Sequence, residues 1–446
     1  MKRVSAALII LCLALTACSV KTADKPIMDL VVLPQDASAY HGLDPNERLL
    51  PAEGQQKAYA NFLAEFFSPW ERDEDTPPNT NVFWGFEVYG TKKLYGENTL
   101  LRDPAWIQQM RKASRINHYP SLNRRAIAVT NISMRVFPTQ LPVFFDFSRA
   151  GEGYPFDYMQ NTLVLAGSPL HATHISADRA WVLVESRFAY GWVPVGDIGW
   201  VDDDFIAIYK TGIYGAITRD DVPVTDGEGN YRFAGHIGTI LPIMEGGAGT
   251  NGFAFIIPVR TMNGDAAPHV AFLPQSLAQQ TPIPATPANF TKLINAMMGR
   301  PYGWAGLHEN RDCSSTTMDL MAPFGIALPR NSSKQIKLGT YVSLEGMSRK
   351  DKKTFITKTA TPFMTLVRKP GHIMLYVGEK DGQPIIFHSV WGLKTKTNGK
   401  YGRKVIGKAV ITSLEPGLEQ SNLARPEGII LEVVFAISTL PGVQGE

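Results

Sequence analysis

The sequence predicts an α+β chain of several domains, and three observations lead there. Apolar residues recur at helical spacing in the first quarter of the chain and again in short stretches after position 286. Between these they fall into short runs broken by Gly, Pro and Asp, as strands joined by tight turns do. The 446 residues leave room for about three domains of roughly 150 each. With 44% hydrophobic and 19% charged residues the composition is that of an ordinary globular protein, which argues against a disordered chain or a multi-pass membrane protein. A net charge of +3 is too near balance to argue for nucleic acid as a partner.

The N-terminus reads as a targeting segment. Lys2 and Arg3 form a basic region, and Ala6 to Leu15 an apolar run too short to span a bilayer as a stable helix. It ends in Leu15-Thr16-Ala17-Cys18, which resembles a bacterial lipobox. The resemblance implies a signal peptide over 1–17, cleavage before Cys18 and lipidation of that cysteine. Ser19 stands where an inner-membrane retention signal would have aspartate, which fits a cell-envelope lipoprotein anchored in the outer membrane and facing the periplasm. The plain alternative is a soluble secreted protein. Residues 18–39 read as a tether behind the lipid.

Tyr59, Phe62, Leu63, Phe66 and Phe67 make one apolar helical face that Pro69 ends, and Asp103-Pro104 supplies a cap and first position for a second helix. Residues 40–122 are therefore expected to form a helical module concerned with packing. Short strands follow. The run from Trp181 to Val201, with Gly191-Trp192-Val193, resembles the bacterial SH3-type barrel, and a first barrel is expected over 123–210. A second, weaker resemblance places another over 211–274. Residues 275–285, within a stretch rich in Pro, Gln, Ala and Thr, read as a linker. Thr286-Pro287 then opens a helix carrying Phe290, Leu293, Ile294 and Met297, so the last domain is expected to run over 286–446 in an α+β order.

The chemistry concentrates in that last domain. Once Cys12 leaves with the signal and Cys18 carries lipid, Cys313 is the one thiol remaining. A lone cysteine in an oxidising compartment points to a nucleophile, the bland alternative being a buried inert side chain. Asp312 is a good N-cap, which puts Cys313 at the first helical position, where the positive helix end favours a thiolate. The cap carboxylate opposes this, so a base is still needed. Only His372 and His388 follow Cys313. A two-residue Asp381-Gly382 turn would pair 388 with 375 and place the imidazoles on opposite faces. A three-residue loop of Lys380, Asp381 and Gly382 pairs 388 with 374 and makes them diagonal neighbours, about 7–8 Å apart at their backbones. The second arrangement is the expected one, with His372 as base and His388 holding its tautomer.

Tyr302-Gly-Trp-Ala-Gly, Asp312-Cys313-Ser314, Leu328-Pro-Arg330-Asn-Ser332, Gly371-His372 and Phe387-His388, in this order, resemble the NlpC-type cysteine peptidases. These are papain-like hydrolases of peptidoglycan stem peptides, and helical modules and SH3-type barrels precede such domains in known members. The resemblance implies cleavage of the γ-D-glutamyl bond to a diamino acid, usually meso-diaminopimelate. It gives Cys313 as nucleophile, His372 as base, His388 as orienting residue and Tyr302 beside the oxyanion site, with Asp312, Ser314, Arg330 and Ser332 along the substrate groove. Many members have Gly where this chain has Ser315. An acyl-enzyme route needs no cofactor and no metal.

His171 and His174 lack the third ligand that zinc requires. The basic runs Arg111 to Arg125 and Lys394 to Lys404 read as solvated faces with weak attraction for an anionic wall polymer. Two rivals to a stem-peptide endopeptidase stand: a non-catalytic peptidoglycan-binding lipoprotein with a degenerate peptidase domain, and a papain-like acyl transferase.

Overall fold

A computed structural model describes residues 25–72 and 81–442. The signal peptide and Cys18 lie outside the described residues. Helix Ala52–Phe67 buries Tyr59, Phe62, Phe66 and Phe67, as its apolar spacing requires. The second helix begins one residue later than its cap pattern suggests, at Ala105–Ala113, with the Asp103 carboxylate accepting from the Ala105 N–H at 2.8 Å.

The first barrel is a seven-stranded antiparallel sheet running from Arg124–Ala128 to Ile198–Trp200. The second is a five-stranded sheet with a two-stranded ribbon beside it. Its edge strand is Ala278–Gln280, which pairs with Tyr214–Ile217. Residues 275–285 are thus no linker, because Ala278 packs in the barrel core and Ile283 and Ala285 enter the core of the last domain. The tether reading also fails for residues 25–39. Ile27 and Ala37 are buried in that same domain, Ser413 donates to the Asp29 carboxylate at 2.7 Å, and Gln35 bridges the backbone of Ile411.

The last domain is a six-stranded antiparallel sheet in the order Thr340–Ser343, Ala436–Thr439, Thr365–Lys369, His372–Lys380, Gln383–Thr397, Lys400–Ser413. Helices Pro287–Met297 and Cys313–Met321 pack on one face through Phe290, Leu293, Met318 and Met321. The last two strands run past a bulge at Val390/Gly392 and rise beyond the end of the sheet as a long hairpin.

Candidate active site

Cys313 opens the helix Cys313–Met321. Ser315 donates its N–H to Asp312 Oδ1 at 2.9 Å, and Ser315 Oγ accepts from the Asp312 N–H at 3.0 Å. This reciprocal cap satisfies two free donors at once and fixes the first turn. It also gives the Ser315 side chain its own role in the cap. Cys313 is half-buried, and its sulfur accepts from the backbone N–H of Ile373, next to His372.

The imidazoles meet. His372 Nε2 and His388 Nδ1 are 2.8 Å apart, and both residues are buried. The register that joins them arises by a different route from the one expected. The turn has two residues, Asp381 and Gly382, both at positive φ as a type I′ hairpin demands. Lys380 pairs with Gln383, but a bulge between Tyr376 and Gly378 shifts the register to Leu375↔Phe387. One step further, position 388 falls opposite 374, and the histidines share a face.

A further residue orients the chain of protons. Thr412 Oγ1 donates to the Ser413 carbonyl at 2.8 Å, which leaves its lone pairs to face His388 Nε2 at 3.2 Å. The Thr412 oxygen therefore accepts from His388 Nε2–H, His388 Nδ1 accepts from His372 Nε2–H, and His372 Nδ1 is left with a free lone pair. Thr412 was not anticipated from sequence. Its only signal is the alternation of the last long strand, which places it beside His388.

Electrostatics overturns one expectation. Burial, helped by the Asp312 carboxylate, pushes the Cys313 thiol up to about 11, against the pull of the helix end toward a thiolate. Burial, then His388 and Lys369, hold His372 well below the ordinary imidazole range, and burial with Lys369 takes His388 to about 3. Burial thus disfavours both charged forms, the thiolate and the imidazolium, in the resting site.

On the other side of Cys313 the groups are ionic. Burial opposes the Asp312 charge, but Arg330 and the Ser315 hydrogen bonds outweigh it and keep the carboxyl below 3.8. Arg330 reaches Asp312 at 2.6 and 3.2 Å, Ser314 Oγ at 2.7 Å and Thr162 of the first barrel at 2.8 Å. The Asp312 carboxylate is therefore committed to the cap and to Arg330. Arg311 makes a bidentate pair with Asp220 of the second barrel at 2.8 Å and a bond to Asp319 at 2.7 Å. Beside it His236 Nε2 meets Glu309 at 2.9 Å. These contacts bolt the helix of Cys313 to both barrels. A Cβ at Gly306 would lie 2.4 Å from that of Leu163, so the loop ahead of Cys313 is pressed against the first barrel.

Cys313 opens into a cavity of about 810 Å³. Tyr302, Asp312, Ser314, Arg330 and Ser332 line it, together with Glu65, Gln160 and Glu185 to Tyr190 from the N-terminal module and first barrel. His372 and His388 stand on the two strands against which the helix of Cys313 packs, and the Ile373 N–H next to His372 ties the sulfur to the first of them. Among the described residues no group of three or more His, Cys, Asp or Glu could hold a metal, and His174 is engaged by Ser121 at 2.7 Å and the Ser114 carbonyl at 3.0 Å.

Comparison with known proteins agrees with this layout. Residues 6–119 match the N-terminal stabilising domain of NlpC/P60 proteins, 142–194 an SH3 domain of the SH3b1 type, 202–245 an SH3 domain of the SH3b2 type, and 299–401 the NlpC/P60 family. No curated protein sequence matches. Among solved structures, an NlpC/P60 endopeptidase from Photobacterium damselae subsp. piscicida is 27% identical with a TM-score of 0.83, over 94% of this chain and 99% of that one. An NlpC/P60 family protein from Bacillus cereus ATCC 10987 is 14% identical with a TM-score of 0.46, over 71% of this chain and 100% of that one.

Proposed function

Because this chain belongs to the NlpC/P60 family of cysteine peptidases, we propose that it hydrolyses the γ-D-glutamyl bond to the diamino acid, meso-diaminopimelate, in peptidoglycan stem peptides. The observation that carries this reading is the one thiol among the described residues, at a helix N-terminus and open to a groove, with a hydrogen-bonded imidazole pair on the strands its helix packs against. In the proposed reaction, the Cys313 proton passes to His372 Nδ1 as the sulfur attacks the amide carbonyl. The thiolate and imidazolium form together, each stabilising the other where a lone charge would be costly. The oxyanion meets the Cys313 N–H at the helix start, near Tyr302. His372 then protonates the leaving amine, the C–N bond breaks, and water releases the acyl group by the reverse route. No step uses a cofactor.

The first barrel and the N-terminal module form one wall of the groove, which favours short, freed stem peptides over intact sacculus as substrate. The lipobox resemblance extends the proposal to a lipid-anchored protein of the cell envelope, facing the periplasm from the outer membrane. The test is wild type against Cys313→Ala on defined muropeptides, read by mass spectrometry. Fragments ending in γ-D-glutamate, formed by wild type alone, are the expected result. Intact substrate in both reactions would favour the non-catalytic binder, and transfer to an added amine would favour the transferase. Slow alkylation of Cys313 near neutral pH does not separate these readings, since burial already disfavours the resting thiolate.

A further inference from the structure

Next to the imidazole pair stands a cation with no described role. Lys369 ends the strand Thr365–Lys369, and the register places it directly across from His372 over the Pro370-Gly371 turn. Directly opposed residues have Cβ atoms about 4.5–5.5 Å apart on one face of a sheet. Lys369 is half-buried and in electrostatic range of Cys313 and of both histidines. Among the described residues no carboxylate pairs with it and no acceptor takes its protons. Other cations stand close by. Lys394 and Arg403, paired across the long hairpin that rises past the sheet, both act on Lys369. Residues 383–413, the span of that hairpin, contain no Asp or Glu. Glu152 of the first barrel faces Arg403, and Lys394 lies over the Tyr401 ring. Neither meets Lys369.

Half-buried cations facing one another are costly unless an anion arrives. Burial already holds the Lys369 ammonium below its ordinary range, with Arg403 and Lys394 adding to the effect. The arriving anion is identified by the direction of the reaction. The acyl half of the substrate stays on the sulfur, while the amine half departs toward the imidazole that protonates it, and Lys369 is the cross-strand neighbour of that imidazole.

We propose that Lys369, supported by Lys394 and Arg403, is a specificity-determining residue that binds a free carboxylate on the amine-side half of the substrate. This inference rests on the peptidase reading and adds to it a preference among leaving groups. A diamino acid with two carboxyl groups offers two sources of that anion, its own α-carboxylate and its distal one, and the same chemistry serves either.

The test uses three tripeptides of the L-Ala-γ-D-Glu-diamino acid type: the free acid, the form amidated at the α-carboxyl and the form amidated at the distal carboxyl. Wild type, Lys369→Met and Lys369→Arg are compared by kcat/KM. Wild type is expected to favour the free acid over one of the amides by about 10- to 100-fold, and the disfavoured amide identifies the carboxylate that is bound. Lys369→Met should reduce that ratio to within about threefold, and Lys369→Arg should keep most of it. Because the reading is a ratio within one protein, partial misfolding of a variant leaves it interpretable. If Lys369 only tunes the thiol, Lys369→Met slows all three substrates alike and keeps the ratio, which overturns the proposal. So does a wild type that cuts all three equally. A wild type that cuts none of them removes the peptidase reading itself, and this inference with it.

Discussion

On the sheet side of Cys313, His372, His388 and Thr412 are linked by hydrogen bonds without a carboxylate among them. On the barrel side, Arg330 and Arg311 are locked to Asp312, Asp220 and Asp319. Both clusters are largely buried, yet they are built for different tasks. A buried ion pair is costly to break and so holds geometry. A chain of neutral imidazoles, held uncharged by desolvation, can pass a proton without first dismantling a salt bridge. In the proposed reaction one side aims the nucleophile and the other receives its proton.

The comparison is broken most strongly at its two centres. His372→Gln is expected to lower kcat by about 10³-fold or more while moving the unfolding midpoint little. Arg311→Met should do the reverse. It removes the guanidinium that Asp220 and Asp319 share, leaving Asp220 only the more distant Arg300 at 3.6 Å, and should cost about 3–5 kcal/mol in urea unfolding. Urea titrations and initial rates on both variants check the pair. A stable Arg311→Met protein, or an active His372→Gln enzyme, would show the division to be wrong.

Arg330→Met sharpens the ionic side through pH. Asp312 keeps its folded carboxyl below 3.8, so its contribution to stability is present above 3.8 and is lost as pH falls through the folded value. Without Arg330 the same carboxylate is buried and unpaired, and the variant should lose about 3 kcal/mol near neutral pH. Burial unopposed by Arg330 raises that carboxyl, so the deficit should begin to close above 3.8 as acid neutralises the group. A deficit that stays constant down to pH 3 would exclude Asp312 as its source.

The neutral side titrates differently. Both imidazoles have folded values below 6.5, so the unfolded chain takes protons that the folded one refuses. Stability is therefore full above 6.5 and falls with acid, by up to about 1.4 kcal/mol per pH unit for each histidine. For His388 that window runs from 6.5 to about 3. His388→Asn should flatten the slope of unfolding free energy across it. The acid limb of kcat/KM for wild type should likewise lie below 6.5, because the His372 base survives there.

How far the sequence reveals this site depends on the range of each interaction. Asp312, Cys313 and Ser315 are neighbours in the chain, so their cap follows from local rules and the helix start is legible. The shared face of His372 and His388 is legible too, but the device is not. Turn chemistry alone would assign Asp381-Gly382 a register that separates them, and the bulge near Val377 that restores it has no sequence mark beyond Gly378, whose φ of 132° suits it. The Arg311–Asp220 pair spans 91 positions and joins two domains, so neither residue announces the other. Residues 275–285 mislead through composition. Their prolines and glutamines resemble a linker, while Ile283, at 1% exposure, and Leu277 are the large apolar side chains that betray a packed segment.

The finest division within the neutral side lies between the imidazole proposed to take the proton and the hydroxyl that fixes which of its nitrogens is free to take it. Thr412 touches neither sulfur nor groove, and it acts through His388 as a positioning residue. Thr412→Val keeps the shape and removes the acceptor, so the His388 Nε2–H loses its partner and the competing tautomer becomes populated. A substitution of this kind, one shell behind the reacting groups, costs about 10-fold. The loss should fall on kcat with KM unchanged, since substrate never meets Thr412. Thr412→Ser restores the hydroxyl and should recover most of the rate. A loss shared by both variants would instead mark a packing defect, and it would separate Thr412 from the proton path altogether.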